Sequence, residues 1–106
     1  MTIIAKSENG DLLGFAGIVD YDMETNKDLT PWLSGVFVLN EYRRNGIGGQ
    51  IVKRLEQIAS DLGFKKLYLF TLDKESFYLN LSWTKLKDDY YFDTKVTIMI
   101  KDLDKT

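Results

Sequence analysis

The spacing of apolar positions along the chain predicts two helices. In the longer one, the apolar residues lie three or four positions apart and form one stripe; they are Ile47, Ile51, Leu55, Ile58, Ala59 and Leu62. Gly63 follows the last of them, at the position where a left-handed residue often ends a helix. A second, shorter helix is predicted from Lys74 to about Leu81, with Asp73 or Thr71 as its N-cap.

Short apolar or β-branched runs between polar turns predict six strands. They cover Thr2–Lys6, Leu12 to about Tyr21, Trp32–Leu39, Lys66–Leu72, a strand that begins at Trp83–Leu86, and Lys95–Lys101. The fourth strand follows a strand and a helix, so we expect it to lie parallel to the third through a right-handed crossover. The order predicts an α+β fold with one mixed, largely antiparallel sheet and helices on its faces.

Turn-forming and small residues add detail to this sheet. Asn9-Gly10 predicts a hairpin between the first two strands, and Asp88-Asp89 predicts a turn before the last one. Gly14 and Gly17, within the second strand, predict a bulge or a close approach of neighbouring backbone. The residues between and beside them are expected in the core; they are Leu13, Phe15 and Ala16.

The segment before the long helix is basic and rich in glycine, reading Arg43-Arg44-Asn45-Gly46-Ile47-Gly48-Gly49. First-turn N–H groups have no intrahelical partner, and the helix dipole places about +0.5 charge there. Glycines leave the backbone accessible and the arginines add positive charge, so the segment is suited to a phosphate or pyrophosphate. The alternative is a helix start at which glycine only permits close packing and the arginines are solvated.

Composition excludes several kinds of chemistry. The 106 residues fit a single domain, residues 1–106, and they include neither cysteine nor histidine. Disulfides, thiolate nucleophiles, Ser-His pairs and Cys- or His-based metal sites are therefore excluded. A net charge of −2 argues against nucleic-acid binding. No secretion signal and no apolar run near the about 18 residues of a membrane span is present, so we expect a cytoplasmic protein without metal or membrane partner.

The glycine-rich segment resembles the GNAT superfamily of N-acetyltransferases. Arg43-x-x-Gly46-x-Gly48 matches the family signature R/Q-x-x-G-x-G/A, and residues 36–43 are similar to its V-x-V-x-x-x-Y/F-R strand end. The resemblance implies a GNAT-like acyl-CoA N-acyltransferase fold. It also implies transfer of the acetyl group of acetyl-CoA directly to a primary amine, without an acyl-enzyme.

A downstream segment, Phe77-Tyr78-x-x-x-Ser82-Trp83, is similar to the family's F-Y-x-x-x-G-F/W motif. Ser82 replaces the usual glycine, so a left-handed turn there would cost about 1 kcal/mol. The chain begins at what would be the family's second strand, without the first strand and two helices that wall one side of the acceptor site. The resemblance therefore implies a short form with an open acceptor side, or one that a second copy, in a homodimer, or another protein closes.

By position, the resemblance implies that the acyl arm of acetyl-CoA lies between the two parallel strands, which splay apart around it. Main-chain groups of the third strand would bond the arm, and amides at the helix start would hold the pyrophosphate. The implied cofactor-binding residues are Val36, Phe37, Val38, Arg43, Arg44, Asn45, Gly46, Ile47, Gly48, Gly49 and Tyr78.

Two proton transfers are required. Tyr78 matches the family tyrosine proposed to protonate the coenzyme thiolate; the alternative is that Tyr78 only packs the helix. The family often places a glutamate base on the strand after the main helix, but Tyr68 occupies the position that faces the cleft. Asp73 as the base, Ser34 positioning a water, an acid of the Asp20–Glu24 loop and solvent all remain open.

Acidic and aromatic residues in segments that the family places beside the acceptor would hold a cationic amine. They are Tyr21, Asp22, Glu24, Trp32, Tyr90 and Tyr91; the alternative is a solvated loop with strand-edge aromatics. Ser34 is a further predicted substrate-binding residue. We expect a small-molecule amine as the acceptor. A protein amine, a non-catalytic module that binds acetyl-CoA or CoA, and a different nucleotide or phosphate ligand are the alternatives.

Overall fold

The computed structural model describes residues 1–43 and 46–103 of the chain. Within them, six strands and two helices follow one another in the predicted order. Their bounds are β1 Thr2–Lys6, β2 Leu12–Val19, β3 Trp32–Val38, α1 Ile47–Asp61, β4 Lys66–Thr71, α2 Glu75–Asn80, β5 Thr84–Tyr91 and β6 Thr94–Asp102. A short 3-10 turn covers Asn40–Tyr42, between β3 and the segment that leads into α1.

The strands form one sheet in the order β1-β2-β3-β4-β6-β5. All neighbouring strands run antiparallel except β3 and β4, which are parallel, as the helix between them predicts. The sheet is therefore mixed and largely antiparallel, and the predicted α+β class is confirmed.

Close backbone contacts account for the small residues of β2. A Cβ at Gly14 would overlap the carbonyl oxygen of Phe37 on β3, and one at Gly17 would lie 2.9 Å from the Met1 carbonyl oxygen. On the side of β1, Leu13 is an extra residue in β2, because its neighbours Leu12 and Gly14 pair with the adjacent residues Lys6 and Ala5. Both the close approach and the bulge predicted for this strand are present.

The larger core cluster lies between the sheet and the helices, on the side that we call the helix face. Of the predicted apolar stripe of α1, Ile51, Leu55 and Ala59 are buried there together with Val52, whereas Leu62 is 60% exposed. Sheet residues in the same cluster include Leu33, Leu67, Leu69 and Met99. Each large side chain buried in this way contributes about 1.5–3 kcal/mol, so this packing fixes α1 against the sheet.

A smaller core cluster lies on the opposite side of the sheet, which we call the open face. Residues 20–31, which we call the 20–31 loop, fold over this side, and Met23 is buried against side chains of β3 and β6. Asn26 donates to a carboxylate oxygen of Asp89 on β5 at 2.9 Å. The loop therefore covers the half of the open face that β4, β6 and β5 form.

The other half of the open face is uncovered. Ile4, Phe15 and Phe37 are cross-strand neighbours on β1, β2 and β3. They are 58%, 37% and 39% exposed, and we call them the apolar row. The prediction that Phe15 lies in the core is wrong, because it alternates with the buried Ala16 and faces the other side of the sheet.

The chain after α2 differs from the prediction in one respect. Asp88 and Asp89 lie inside β5, and the turn into β6 is made by Phe92 and Asp93, with φ of 49° and 63°. Asp88 accepts a hydrogen bond from the Lys85 ammonium at 2.9 Å, while Asp89 is held by the 20–31 loop. These contacts override the turn preference of the two aspartates.

Candidate functional site

Strands β3 and β4 are paired along only part of their length. Trp32 and Tyr68 form the single β3–β4 pair among the described residues, and the Tyr68 N–H donates to the Pro31 carbonyl at 3.0 Å. Beyond this pair, β3 continues to Val38 and β4 to Thr71, but the two strands do not pair with each other again. The strands diverge toward their carboxyl ends, and we call the space between them the β3–β4 gap.

A bulge in β3 accounts for this divergence. Strand β2 has one residue between Phe15 and Gly17, whereas the opposing segment of β3 has two residues, between Ser34 and Phe37. One of the two is Gly35, whose φ of 66° is a left-handed conformation that glycine adopts without steric cost. Because a bulge bends and twists its strand, the second half of β3 turns away from β4.

Helix α1 begins beside the gap with Gly46 as its N-cap, at φ 76° and without a side-chain capping bond. The first intrahelical bond runs from the Gln50 N–H to the Gly46 carbonyl at 3.1 Å. The amides of Ile47, Gly48 and Gly49 therefore have no intrahelical partner and, with the helix dipole, favour an anion. A Cβ at Gly46 would meet nothing within 4 Å, so this turn borders open space.

The next two glycines permit close packing. A Cβ at Gly48 would lie 3.4 Å from the Phe77 ring and 3.5 Å from Val38, and one at Gly49 would lie 3.5 Å from Leu81. Helix α2 is therefore seated against the first turn of α1. At Gly48 and Gly49, glycine therefore permits close packing, which was the alternative explanation for the glycine-rich segment. At the N-cap, Gly46 instead borders unoccupied space.

The basic residues of the segment are described only in part, since Arg44 and Asn45 lie outside the described residues. Arg43 is exposed, and its Nε donates to the Val38 carbonyl at 3.1 Å. Its guanidinium carbon lies 5.9 Å from the centre of the Phe37 ring, a cation–π contact. These contacts hold a positive charge at the carboxyl end of β3, beside the gap.

Alternation along β3 decides which main-chain groups face the gap. Phe37 pairs with Phe15 of β2, and its carbonyl oxygen lies against Gly14 of the same strand. Val36 and Val38 alternate with Phe37, so their N–H and carbonyl groups point away from β2. We therefore retain Val36 and Val38 as candidate ligands of an acyl arm and remove the main chain of Phe37.

Tyr78 on α2 is 8% exposed, and its ring packs against Phe77 and Trp83 at centroid distances of 4.9 and 5.9 Å. Burial raises the pKa of Tyr78 to about 12. No described residue bonds its hydroxyl, and no fully buried side-chain N or O atom of the described ranges lacks a partner. The hydroxyl therefore reaches solvent, is protonated at neutral pH and is available as a donor.

A carboxylate lies on the open-face side of the same strand. Ser34, two residues beyond the paired Trp32, donates its hydroxyl to Oδ1 of Asp22 at 2.8 Å. Desolvation raises the pKa of the half-buried Asp22, and the bond from Ser34 opposes that shift. The sequence pointed to acids of the Asp20–Glu24 segment as a group, but only the path of the 20–31 loop selects Asp22.

The chain is similar in sequence and structure to known acetyltransferases. The model of the acetyltransferase (GNAT) family matches residues 1–80. The chain belongs to the GNAT family. Thialysine N-epsilon-acetyltransferase of Bos taurus is 32% identical to it over 75 residues, a match that covers 71% of this chain and 39% of the bovine protein. This GNAT chain thus spans about two-fifths of that relative's length.

Solved structures show that the GNAT fold extends to the last strands. An aminoglycoside 6'-N-acetyltransferase complexed with coenzyme A has a TM-score of 0.79 at 20% identity, covering 99% of this chain and 73% of that chain. The aminoglycoside 6'-N-acetyltransferase from Enterococcus faecium has a TM-score of 0.80 at 19% identity, with coverages of 99% and 73%. At these identities the likeness establishes the fold.

The residues predicted to bind the acceptor differ in exposure in this GNAT chain. Trp32 is fully buried, so the prediction that its ring contacts an acceptor is corrected. Tyr21 in the loop and Tyr90 on β5 are 52% and 66% exposed. Tyr91 is half-buried, and its hydroxyl accepts the N–H of Glu24 at 3.2 Å, which ties β5 to the 20–31 loop.

The two ends of α2 carry further predicted positions. Asp73 is exposed beyond β4 and bonds to none of the described residues. Thr71, the other candidate cap, accepts the Lys74 N–H at 3.0 Å, one residue before α2 begins. Ser82 has φ 71°, so the left-handed turn that GNAT proteins usually make with glycine is made here with serine.

Residues 1–43 and 46–103 contain no group of three or more His, Cys, Asp or Glu side chains that could hold a metal ion. No helix in that part of the chain is long and apolar enough to cross a membrane.

Proposed function

We propose that this GNAT chain transfers the acetyl group of acetyl-CoA directly to a primary amine. The observation that carries the proposal is the β3–β4 gap with an open, uncapped helix N-terminus beside it. A long thioester that ends in a diphosphate matches both features, because unpaired strand groups bond an extended arm and helix amides bind the anion. Acetyl-CoA supplies an acyl group that is already activated toward nucleophiles.

The chain's own groups would divide the work as follows. Val36 presents its N–H and carbonyl groups to the arm and Val38 presents its N–H, since the Val38 carbonyl already accepts a hydrogen bond from Arg43. The first-turn amides from Ile47 to Gly49 receive the pyrophosphate, and Arg43 adds positive charge. Tyr78, protonated at neutral pH with a hydroxyl that reaches solvent, supplies a proton to the departing thiolate.

A small-molecule amine is the proposed acceptor class. The bovine relative is named for thialysine, and two structural neighbours are named for aminoglycosides, all of which are small amines. On this chain, the half-buried Asp22 carboxylate and the exposed Tyr21 lie on the open face. A negative charge beside an aromatic ring favours a cation.

The proposal is tested by measuring thiol release from acetyl-CoA across a panel of primary amines that includes diamines, lysine analogues, aminoglycosides and a lysine-containing peptide. Turnover of a small amine supports the proposal. Turnover of the peptide alone would move the acceptor to a protein amine.

The alternative functions give different results in a binding measurement. Protection against heating by acetyl-CoA, with no turnover of any amine, would identify a non-catalytic coenzyme-binding module. The uncovered half of the open face favours the non-catalytic module as the alternative, because an acceptor bound there would be exposed to solvent on one side. Protection by ATP that equals protection by CoA would contradict the assignment of the gap to an acyl arm.

A further inference from the structure

We propose that Asp22, oriented by Ser34, receives the ammonium group of the acceptor and takes up its proton. This inference rests on the proposed function and adds to it the general base, which the fold alone does not assign. Three observations support it: the position of the pair, the chemical state of the carboxylate, and the lack, in the part of the chain that the structure describes, of a second half-buried carboxylate beside the 20–31 loop that is free of an ion pair.

The position of the pair is fixed by β3. Trp32 is the β3 residue paired with β4, and Ser34 is the next residue that points to the open face. The side chain that anchors Asp22 thus stands where the gap begins, on the side of the sheet opposite α1. An acyl arm that entered from the helix N-terminus would meet an amine from the open face at this point.

The chemical state of the carboxylate also fits. Oδ1 of Asp22 accepts the Ser34 hydroxyl at 2.8 Å, and neither oxygen has an ion-pair partner among the described residues. Removal from water raises the pKa of Asp22, which makes the carboxylate a stronger base than an exposed aspartate. An arriving ammonium would supply the missing counter-charge.

Other titratable groups near the loop are already engaged or are exposed. On β5, Lys87 donates to Asn26 at 2.7 Å, Asp89 accepts from Asn26, and Tyr91 binds the Glu24 amide. On β4, the Tyr68 ring packs against Trp32, 6.0 Å between centroids. The loop's own acids Asp20, Glu24 and Asp28 are exposed. Asp73 is exposed beyond β4, so the half-buried Asp22 is the best-placed base.

The proposed step balances as follows. The acceptor ammonium gives one proton to the Asp22 carboxylate and becomes a neutral amine. Its nitrogen lone pair forms the bond to the acetyl carbon while the carbon–sulfur bond breaks, and the sulfur keeps that electron pair. The thiolate gains a proton from Tyr78 or water. The new amide nitrogen and Asp22 then each release one proton to solvent, and Tyr78, if used, regains one.

The first test uses the full chain and the amine that the wild type turns over best. Asp22→Asn should lower kcat/KM for that amine by about a hundredfold, the low end of general-base effects. The KM for acetyl-CoA should stay unchanged. Asp22→Glu should recover part of the loss. Asp28→Asn, an exposed carboxylate of the same loop, is the matched control and should leave activity unchanged. An Asp22→Asn enzyme with wild-type kcat/KM across the pH range would overturn the proposal.

A pH profile separates a base from a structural residue. In the wild type, kcat/KM should fall in acid as Asp22 becomes protonated. Ser34→Ala removes the bond that lowers the pKa of Asp22, so the acidic limb should move to higher pH. A purely structural role for Ser34 would lower activity at all pH values alike, without moving the limb, and would count against the inference.

The thermal stability of the Asp22→Asn variant gives an independent test of the role of Asp22. Because the folded-state pKa of Asp22 is raised, its ionised form costs stability at neutral pH, and that cost disappears on protonation in acid. Asp22→Asn keeps an acceptor for Ser34 without the charge, so its melting temperature at pH 7 should equal or exceed that of the wild type. A clear drop in melting temperature with a matching drop in activity would assign Asp22 a structural role.

The last measurement does not depend on turnover. Carbon-13 NMR follows the Asp22 carboxyl during titration with butylammonium chloride in the presence of CoA. A saturable shift of Asp22, absent at Asp28 and absent with potassium chloride, supports ammonium binding even if no amine is acetylated. In that case the proposed function fails and the binding role stands. An unmoved Asp22 signal overturns the proposal, whatever the enzyme turns over.

Discussion

At the scale of single residues, burial raises the pKa of both groups that the proposed reaction needs. Tyr78 keeps its proton up to about pH 12, and Asp22, whose one side-chain partner among the described residues is Ser34, becomes a stronger base than an exposed aspartate. The motif on α2 pointed to Tyr78 directly. The pairing of Asp22 with Ser34 joins residues twelve apart through a loop without periodicity, so the sequence left several bases open.

The acid role of Tyr78 predicts a specific kinetic defect. Tyr78→Phe removes only the hydroxyl, so kcat should fall about a hundredfold, as for loss of a general acid, while the affinity for acetyl-CoA changes little. Single-turnover rates and a separate binding measurement would check this. Equal kcat in the two enzymes would remove the acid role and leave Tyr78 as a packing residue.

Tyr78 also predicts how stability depends on alkaline pH. Its folded-state pKa is about 12, above the ordinary 10.0, so the unfolded chain loses this proton first as pH rises. Stability from this group is complete below pH 10 and is lost as pH rises through 12, by about 3 kcal/mol at about 1.36 kcal/mol per pKa unit. Urea unfolding at pH 9 and pH 11.5 should show a smaller loss for Tyr78→Phe than for the wild type. Equal losses would contradict the raised pKa.

At the scale of elements, strong periodicity and turn chemistry predicted most boundaries. The α1 stripe has one arrangement that buries most of its apolar side chains, so local sequence was sufficient there. The β5–β6 hairpin was predicted wrongly. Its turn uses Phe92 and Asp93 instead of Asp88-Asp89, because Asp88 and Asp89 pair with Thr97 and Val96 of β6 and Asp89 also bonds Asn26 of the 20–31 loop.

The start of α1 predicts how charge affects coenzyme binding. Gly46→Asp or Gly48→Asp places a carboxylate beside the free amides, where it opposes a pyrophosphate, so coenzyme affinity should be lost while the fold persists. Isothermal titration with CoA would measure this. Gly10→Asp is the matched control, since Gly10 has φ 87° and open space but lies in the β1–β2 hairpin. An unchanged affinity in a folded Gly48→Asp protein would refute the site.

The turn after α2 predicts a stabilising change. Ser82 is exposed and has φ 71°, so Ser82→Gly should relieve strain and raise the unfolding free energy by about 1 kcal/mol. Ser60→Gly, in the last turn of α1, is the opposite case and should lower stability, because glycine is unfavourable within helices. Denaturant unfolding of both variants would check the two signs.

At the scale of the whole molecule, the two halves of the open face differ. The 20–31 loop crosses one half and is tied to β5, whereas the apolar row remains exposed on the other. Residue types alone did not distinguish these environments, since Trp32 and Phe15 are both aromatic strand residues on the same face. Whether a strand residue is buried there depends on where a long loop lies, which hydrophobic alternation does not encode.

The apolar row bears on the homodimer, which the family resemblance implied as one of several ways to close the acceptor side and which stays a prediction. Exposed contiguous apolar surface favours association, so sedimentation velocity should show larger species as wild-type concentration rises. Phe15→Thr should reduce them at a stability cost of about 1 kcal/mol, because Phe15 pairs mainly with Phe37, 5.3 Å between ring centres. A wild type that stays monomeric at all concentrations would leave the row without a self-association role.

Because β3 and β4 are paired so briefly, the sheet consists of two three-stranded halves. Among the described residues, the single pair Trp32–Tyr68 joins these halves. A ligand in the β3–β4 gap would supply the missing hydrogen bonds between the two strands and become part of the sheet. The ligand-bound form and a form in which the strands close on each other would then compete in one equilibrium. The curvature that Gly35 gives to β3 would set binding strength without Gly35 touching the ligand.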